Sequence, residues 1–444
     1  MKDNRISRRN FVAGAALGVA GFTIVPRYVL GGAGFKAPSE KLNIAAVGIG
    51  GMGKENLKAC EGENIVALCD VDWSLAGPVF QKYPNAKKYK DFRKMLEEEK
   101  DIDAVIVATP DHAHAVVAMA AIKMGKHVYV QKPLTWSVEE ARKLTEAARE
   151  AKVATQMGNQ GHSSEEIRVL CEMIWSGAIG NVREVHAWTD RPVWPQGIGG
   201  LPAGTPVVPA YLNWDLWLGP APVRPYHPAY HPFTWRGWLD FGTGALGDMG
   251  CHVMDSAIWA LKLGAPTSVE ACVSSRVVKN WEKAANKETY PDASIVRYEF
   301  GARGDMPAVK LAWYDGGLKP ARPAELEPER NLGANGVIFI GDKGVMMEGR
   351  IIPESKMKDF ERPPRTIPRV TGTHEQNWID ACKGGPAAGS NFEYAGPLTE
   401  TVLLGNIAIR AGKRLEWDSA SMKITNVPEA NELVGRKYRA GWNL

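Results

Sequence analysis

Two islands in this 444-residue chain hold residues whose types and spacing could do acid–base chemistry together. One is Gln131-Lys132-Pro133, which ends an apolar run at residues 127–130. The other is GALGDMGCHVMD, residues 244–255, where Asp248, His252 and Asp255 fall at i, i+4 and i+7, on one face of a helix. Removing an O–H proton while hydride leaves the adjoining carbon needs a base that is neutral near pH 7. Histidine suits that task, and such a base contributes about 10²–10⁴-fold. On this reading His252 is the base, Asp248 orients its imidazole, and Lys132 holds the developing alkoxide as a fixed positive charge. Asp255 is expected to satisfy buried partners.

A hydride also needs an acceptor, and residues 42–53, LNIAAVGIGGMG, supply a place for one. A short apolar strand runs into Gly48, Gly50 and Gly53, the G-x-G-x-x-G spacing that opens a dinucleotide-binding βαβ unit. The first glycine permits the tight turn, the second a close approach of backbone to pyrophosphate, and the third close helix–strand packing. The next strand, residues 64–69, ends in Asp70, whose carboxylate can accept from both hydroxyls of an adenosine ribose and would repel a 2′-phosphate. The cofactor expected is therefore NAD rather than NADP. Its binding residues are expected to be Gly48, Gly50, Gly51, Met52, Gly53, Asp70, Thr109, Pro110, His114, Gln131, Lys132 and Asn159. His112 and His114 read as helix caps near the cofactor rather than as catalysts.

The elements that must position these residues change character along the chain. Residues 38–161 alternate strand and helix, with the continuous apolar strand IDAVIVA at 102–108 and a capping box at Ser137–Glu140. That is the pattern of a doubly wound parallel sheet, which binds ligands at the carboxyl ends of its strands. Residues 162–444 carry long strand-like runs at 182–189, 269–278, 294–300, 309–314 and 336–340, as in an α+β domain with a large, mostly antiparallel sheet. Between the first two runs, residues 191–244 are dense in Pro, Gly, Trp and Tyr. Sugar rings stack their C–H faces on aromatic planes, and Tyr230, Trp235 and Arg236, just before the second island, are assigned to a substrate pocket. The other rings are expected to pack that segment together.

The net charge of +4 is not spread evenly. Six Lys/Arg and one Asp lie in residues 1–37, leaving 48 bases against 49 acids, so the body gives no electrostatic reason to expect nucleic acid or an anionic membrane surface. Arg8 and Arg9, followed by an apolar run at 12–25, read as a twin-arginine export signal over residues 1–37, with a periplasmic destination. The run is too short and too rich in Gly and Ala for a membrane anchor. The six cysteines show no metal-ligand spacing, and no metal site is expected.

The motifs VGIGGMG, IDAVIVATPDHAH, QKP, GAIGNVREVH, NWDLWLGPAP and GALGDMGCHVMD together resemble the glucose–fructose oxidoreductase/inositol dehydrogenase (Gfo/Idh/MocA) family. The resemblance extends over essentially everything after the signal. It implies a Rossmann domain joined to an α+β domain whose open sheet face builds dimers or tetramers. It also implies a catalytic lysine at Lys132 and an Asp-x-x-x-His pair at Asp248 and His252. Gln131 departs from the glutamate usual before Lys-Pro. The activity expected is NAD-dependent oxidation of a secondary hydroxyl of a sugar, glycoside or cyclitol. Two alternatives stand beside it: a redox-neutral glycosidase that oxidises, eliminates, hydrates and reduces, and a non-catalytic NAD-binding sensor or scaffold.

Overall fold

Four of the six strands in the first half are short, mainly apolar runs, and β4 (Ala104–Val107) is buried at every residue, as a strand covered on both faces must be. With β1 (Asn43–Val47), β2 (Asn64–Cys69), β3 (Lys87–Tyr89), β5 (His127–Val130) and β6 (Thr155–Met157) it forms a parallel sheet in the order β3-β2-β1-β4-β5-β6. This is the strand order of dinucleotide-binding folds, with the reversal between β1 and β4. The computed structural model describes residues 40–444; the expected export signal at residues 1–37 lies outside the described residues. Asn43–Leu444 form one compact unit.

Five helices belong to this half, α1 (Met52–Ala59), α2 (Trp73–Lys82), α3 (Phe92–Glu98), α4 (Asp111–Lys123) and α5 (Val138–Ala151), and α6 (Glu165–Trp175) leads into the second half. The capping box forms as expected: Ser137 Oγ accepts from Glu140 N, and Glu140 Oε2 accepts from Ser137 N. α4 is rich in Ala and Val and buried on almost every side, so it packs as a sheet-covering helix with no polar face.

The second half builds a nine-stranded sheet in the order β15-β14-β13-β7-β12-β11-β8-β16-β17. Its strands are β7 (Val182–Trp188), β8 (Ser268–Val273), β11 (Ser294–Phe300), β12 (Val309–Tyr314), β13 (Gly336–Gly341), β14 (Val345–Met347), β15 (Arg350–Ile352), β16 (Leu415–Asp418) and β17 (Lys423–Ile424). Every pair is antiparallel except β7 with β12. The expected strand at 269–278 stops at Val273, and β9 (Val277–Lys279) pairs with β10 (Glu282–Lys283) in a separate hairpin. Alternate residues of β11 and β12 are buried, and the others are half-buried or exposed, so only one face of the sheet is packed on helices.

The remaining helices are α7 (Trp214–Leu218), α8 (Gly244–Val253), α9 (Asp255–Ala260), α10 (Glu354–Lys358), α11 (His374–Cys382) and α12 (Phe392–Ala411). α12 is buried on nearly all sides and packs against α5 and α8 and beneath β8. From there the chain returns to the parallel-sheet half: Val434 O accepts from Glu139 N at 2.9 Å, and Tyr438 OH donates to Glu140 Oε1 at 2.8 Å. The aromatic segment has its own small core, in which Trp214 and Trp217 stack at 4.5 Å and Tyr230 meets Trp238 edge-on at 4.7 Å.

Candidate functional site

The glycine turn is built as its spacing requires. Gly48 has φ of +81°, and a Cβ there would lie 2.6 Å from the Ala108 carbonyl; a Cβ on Gly53 would lie 2.1 Å from Gly48 O. No side chain can replace either without moving backbone. α1 then starts at Met52 with Gly51 at its N-cap and no side-chain cap, so its leading N–H groups are left for an anion.

Asp70 lies beside this turn, in a way that alters its expected role. Its Oδ2 accepts from the backbone N–H of Ile49 (2.8 Å) and Gly50 (3.2 Å), and its Oδ1 from Asp72 N (2.9 Å). Three amides thus occupy most of a carboxylate's four acceptor positions. Asp70 holds the glycine turn to the end of β2, and about one acceptor position remains for a ribose where two were expected. Burial pushes its carboxyl up from the ordinary value, against the pull of those amides.

A cleft of about 380 Å³ runs from this turn along the carboxyl ends of the parallel strands. Gly48, Gly50, Gly51, Met52, Asp70, Thr109, Pro110, His114, Gln131 and Lys132 line it, as expected of a cofactor site. Gly53 lies beneath, in the packing of helix on turn. Asn159 does not line the cleft: it is fully buried, donating to Asp255 Oδ2 (3.3 Å) and accepting from Ser390 Oγ (2.6 Å). It therefore ties the chain just after β6 to Asp255 and Ser390, away from the cleft.

Gln131 donates to Asn56 Oδ1 (2.9 Å), and Asn56 in turn donates to Glu375 Oε1 (2.8 Å), so the amide where the family has a carboxylate is held in a buried polar chain. Each ring nitrogen of His114 faces a backbone carbonyl, Pro133 O and Thr109 O, both at 2.8 Å. His112 lies likewise between Trp217 O and Phe241 O. Burial lowers the pKa of both, to about 4 and about 3, so they brace the fold as neutral rings.

At the other end of the cleft, Lys132 Nζ donates to Asp248 Oδ1 (2.8 Å) and to Asp248 O (2.7 Å). Arg236 Nε also reaches Asp248 Oδ1, at 3.3 Å. Burial alone would raise the Asp248 pKa, but the ammonium and the guanidinium bring it below its ordinary value. So Asp248 orients Lys132 rather than His252, and the expected Asp248–His252 hydrogen bond is absent. His252 follows one helical turn later, half-buried, outside the lining of the cleft. Burial, with the nearby Lys132 charge, lowers its pKa to about 4, and it stays neutral at physiological pH. Asp255 is a buried acceptor, as expected: Tyr394 OH and Asn159 donate to it, and His162 Nδ1 lies 3.1 Å away.

Of the three residues assigned to substrate, Trp235 and Arg236 line the cleft, with the guanidinium 4.3 Å from the Trp235 ring. Tyr230 does not: it is buried in the aromatic core, where its ring completes the packing of Trp214 and Trp238. The sequence reading missed Asp111, Trp217, His231, Phe233 and Trp442 in the lining. Asp111 had a signal, since it starts a helix directly after a strand end. Trp442 had none, because only the returning tail brings it there.

NAD fits these residues. Thr109 Oγ1, Trp217 Nε1 and His231 Nδ1, all on cleft-lining residues, are buried and make no hydrogen bond within the chain, so polar partners are in place for a polar ligand. Among the described residues no group of three His, Cys, Asp or Glu could hold a metal ion, and no helix is long and apolar enough to cross a membrane.

Comparison with known proteins agrees with this geometry. The chain is 32% identical over 151 residues to an inositol 2-dehydrogenase of Salmonella paratyphi B, covering 33% of this chain and 45% of that one. It is 31% identical over 168 residues to a glycosyl hydrolase family 109 protein of Akkermansia muciniphila, covering 34% of each. It therefore spans less than half the length of these relatives. The fold matches the WlbA dehydrogenase of Bordetella pertussis, solved with NADH and UDP-GlcNAcA, with a TM-score of 0.58 and 18% identity over 85% of this chain and 99% of that one. The profile of the NAD-binding Rossmann fold of the oxidoreductase family matches residues 42–159, and that of its C-terminal alpha/beta domain matches residues 182–294. Sheet order, glycine turn, lysine-proline turn and both matched domains lead to one assignment: the chain belongs to the Gfo/Idh/MocA family of NAD-binding oxidoreductases.

Proposed function

We propose that the protein oxidises or reduces a secondary hydroxyl of a sugar, glycoside or cyclitol, with bound NAD as the hydride partner. The observation that carries this is the Lys132–Asp248 pair in the wall of the cleft that begins at the glycine turn. Bound NAD supplies a two-electron hydride acceptor at its nicotinamide ring. The chain's own residues supply the rest. Asp248 fixes the Lys132 ammonium, and an ammonium held in a part-buried cleft stabilises an alkoxide more strongly than one free in water. Trp235 and Phe233 offer rings to the C–H faces of a sugar, and Arg236 offers donors to its hydroxyls.

The test is absorbance of NADH together with product analysis, on a panel of inositols, aldoses and methyl glycosides. A keto-sugar with one NADH per turnover supports the dehydrogenase reading. Release of the aglycone with no net NADH supports the redox-neutral glycosidase, a reading favoured by the similarity to a family 109 glycosyl hydrolase. NAD binding without turnover of any sugar would leave a sensor or scaffold.

The twin-arginine segment supports export of a folded protein to the periplasm, where free NAD is scarce. The mature protein then carries its cofactor out, and it purifies with NAD(H) that survives dialysis. Empty protein with fast, weak NAD exchange would contradict carried export. The half-exposed sheet face supports a homodimer or homotetramer, which light scattering would reveal.

A further inference from the structure

A carboxylate before Lys132 would present acceptors in every direction, but the amide of Gln131 presents an oxygen on one side and N–H₂ on the other. Something has to set which side meets the cofactor. Gln131 follows β5 in the wall of the cleft, beside Lys132, and is 6% exposed. Its amide is seated against Gly158, where a Cβ would lie 2.6 Å from Nε2, so only glycine leaves it room. Gln131 Nε2 donates to Asn56 Oδ1 at 2.9 Å, while its Oε1 makes no hydrogen bond within the chain.

Asn56, fully buried on α1, is held in its turn. Its Nδ2 donates to Glu375 Oε1 at 2.8 Å and reaches Tyr129 OH at 3.4 Å. Tyr129 OH donates to the same Glu375 oxygen (3.2 Å) and accepts from Gln160 Nε2 (3.2 Å). Burial and the Glu375 charge hold that phenol well above its ordinary pKa, so it keeps the proton it donates. An ionised carboxylate only accepts. Glu375, the second residue of α11, therefore draws the N–H₂ of Asn56 and leaves Asn56 Oδ1 toward Gln131. That oxygen draws the N–H₂ of Gln131 and leaves Gln131 Oε1 without a partner. One carboxylate sets two amides in series.

We infer that Glu375 is a positioning residue for the cofactor: through Asn56 it turns the Gln131 amide so that Oε1 accepts from the nicotinamide half of bound NAD. The assignment rests on the NAD reading of the cleft. The glycine turn and Asp70 lie at the pyrophosphate and adenosine end, and Lys132 at the reacting end, so its neighbour Gln131 falls beside the nicotinamide and its ribose. The groups offered there are donors, the carboxamide N–H₂ and the ribose hydroxyls. An amide turned the other way would set N–H₂ against them and lose the hydrogen bond.

The experiment measures the Kd of NAD and of ADP, which lacks the nicotinamide half, by calorimetry on the full chain stripped of cofactor. Glu375→Met keeps the volume and removes the oxygens, so Tyr129 OH turns to Asn56 Oδ1 and both amides reverse. NAD is expected to bind about three- to tenfold more weakly, the worth of one hydrogen bond, with ADP within about twofold. Glu375→Gln, which keeps one oxygen for Asn56, should recover part of the loss. Unchanged NAD affinity in Glu375→Met would overturn the assignment, and so would equal losses of NAD and ADP, the mark of a merely structural role. A second variant, Gln131→Glu, reads the chain through stability. Beside Glu375 it sets two carboxylates against the single N–H₂ of Asn56, and the melting temperature should fall. Added to Glu375→Met it should raise the melting temperature, because Asn56 is then free to donate to position 131. Equal shifts in the two backgrounds would also overturn the assignment. If the unmodified protein binds neither NAD nor ADP, the cofactor reading itself falls, and this assignment with it.

Discussion

The two ends of the cleft are built by different means. At the glycine end, the turn, the helix start and Asp70 come from 23 consecutive residues, 48–70, and are held by backbone amides and by contacts too close for a Cβ. At the lysine end, Lys132, Asp248, Arg236 and Asp111 come from four separate segments joined by ion pairs and one hydroxyl. The first end is fixed by local sterics, with little freedom in residue type. The second depends on the docking of α8 and the aromatic segment onto the parallel sheet, and its charges can be changed one at a time. Function should therefore be separable: substitutions at the lysine end should remove turnover and spare NAD binding.

The largest effect is expected from Lys132→Ala. Deleting a fixed donor to a developing oxyanion costs about 10²–10³-fold in kcat, while the phosphate and adenosine contacts lie elsewhere. Calorimetry should find the NAD Kd within about threefold of the unmodified protein. A comparable loss of NAD affinity would show that the two ends are not independent.

A second test breaks the comparison through stability. Asp111 ionises near 3.8 in the unfolded chain and near 7 in the fold. Between these values the native state binds more proton than the unfolded state, so this carboxyl makes stability fall as pH rises from about 4 to about 7. The contribution at pH 8 is a penalty of a few kcal/mol, from roughly three units at about 1.4 kcal/mol each. Asp111→Asn is free of it. Thermal unfolding should show the variant gaining on the unmodified protein as pH rises from 5 to 8, and an unchanged difference would mean that the carboxyl is not buried as described.

The contrast also explains what could be read from sequence. Residues 43–70 were legible because strand, turn and acid follow one another within a single βαβ unit, and Ser137–Glu140 because its cap is local. β3 was missed, since Lys87-Lys88-Tyr89 has no apolar run and forms only by pairing with β2. α12 was missed because a helix buried all round has no amphipathic period to detect. At the site, Lys132 and Asp248 were both legible as site residues, but their ion pair was not, because the sequence paired Asp248 with His252 one helical turn away. Nor were the fates of Tyr230 and Asn159, because an aromatic ring or an amide serves a core and a ligand equally well, and only packing decides between them.

A smaller effect separates Asp248 from His252 on α8. Asp248→Asn keeps the carbonyl oxygen for Lys132 but removes the charge that offsets Lys132 and Arg236. We expect turnover to fall about tenfold, the order of one charge-assisted hydrogen bond. His252→Ala should lose less than that, because the imidazole neither lines the cleft nor bonds to Asp248. Equal losses in the two variants would return the histidine to the mechanism.

The smallest effect is expected at the glycine end, from Asp70→Asn. Asp70 carries a negative charge beside the place where an NADP 2′-phosphate would enter, so NAD should bind more tightly than NADP. Three backbone amides already bond to that charge, and they partly offset its repulsion. Asp72, the next acid along, is paired at 2.7 Å with His231 and is correspondingly less able to repel a phosphate. The amide variant keeps an oxygen for the amides of Ile49 and Gly50, so the turn should hold its shape while the charge disappears. The preference for NAD over NADP should then narrow by several-fold, read as a ratio of Kd values by calorimetry at low salt, where such repulsion is least screened. Equal affinities in the unmodified protein would remove Asp70 from cofactor choice. A variant that loses both cofactors would show instead that the charge is needed to hold the glycine turn itself, and the two ends of the cleft would then differ less than their hydrogen bonds indicate.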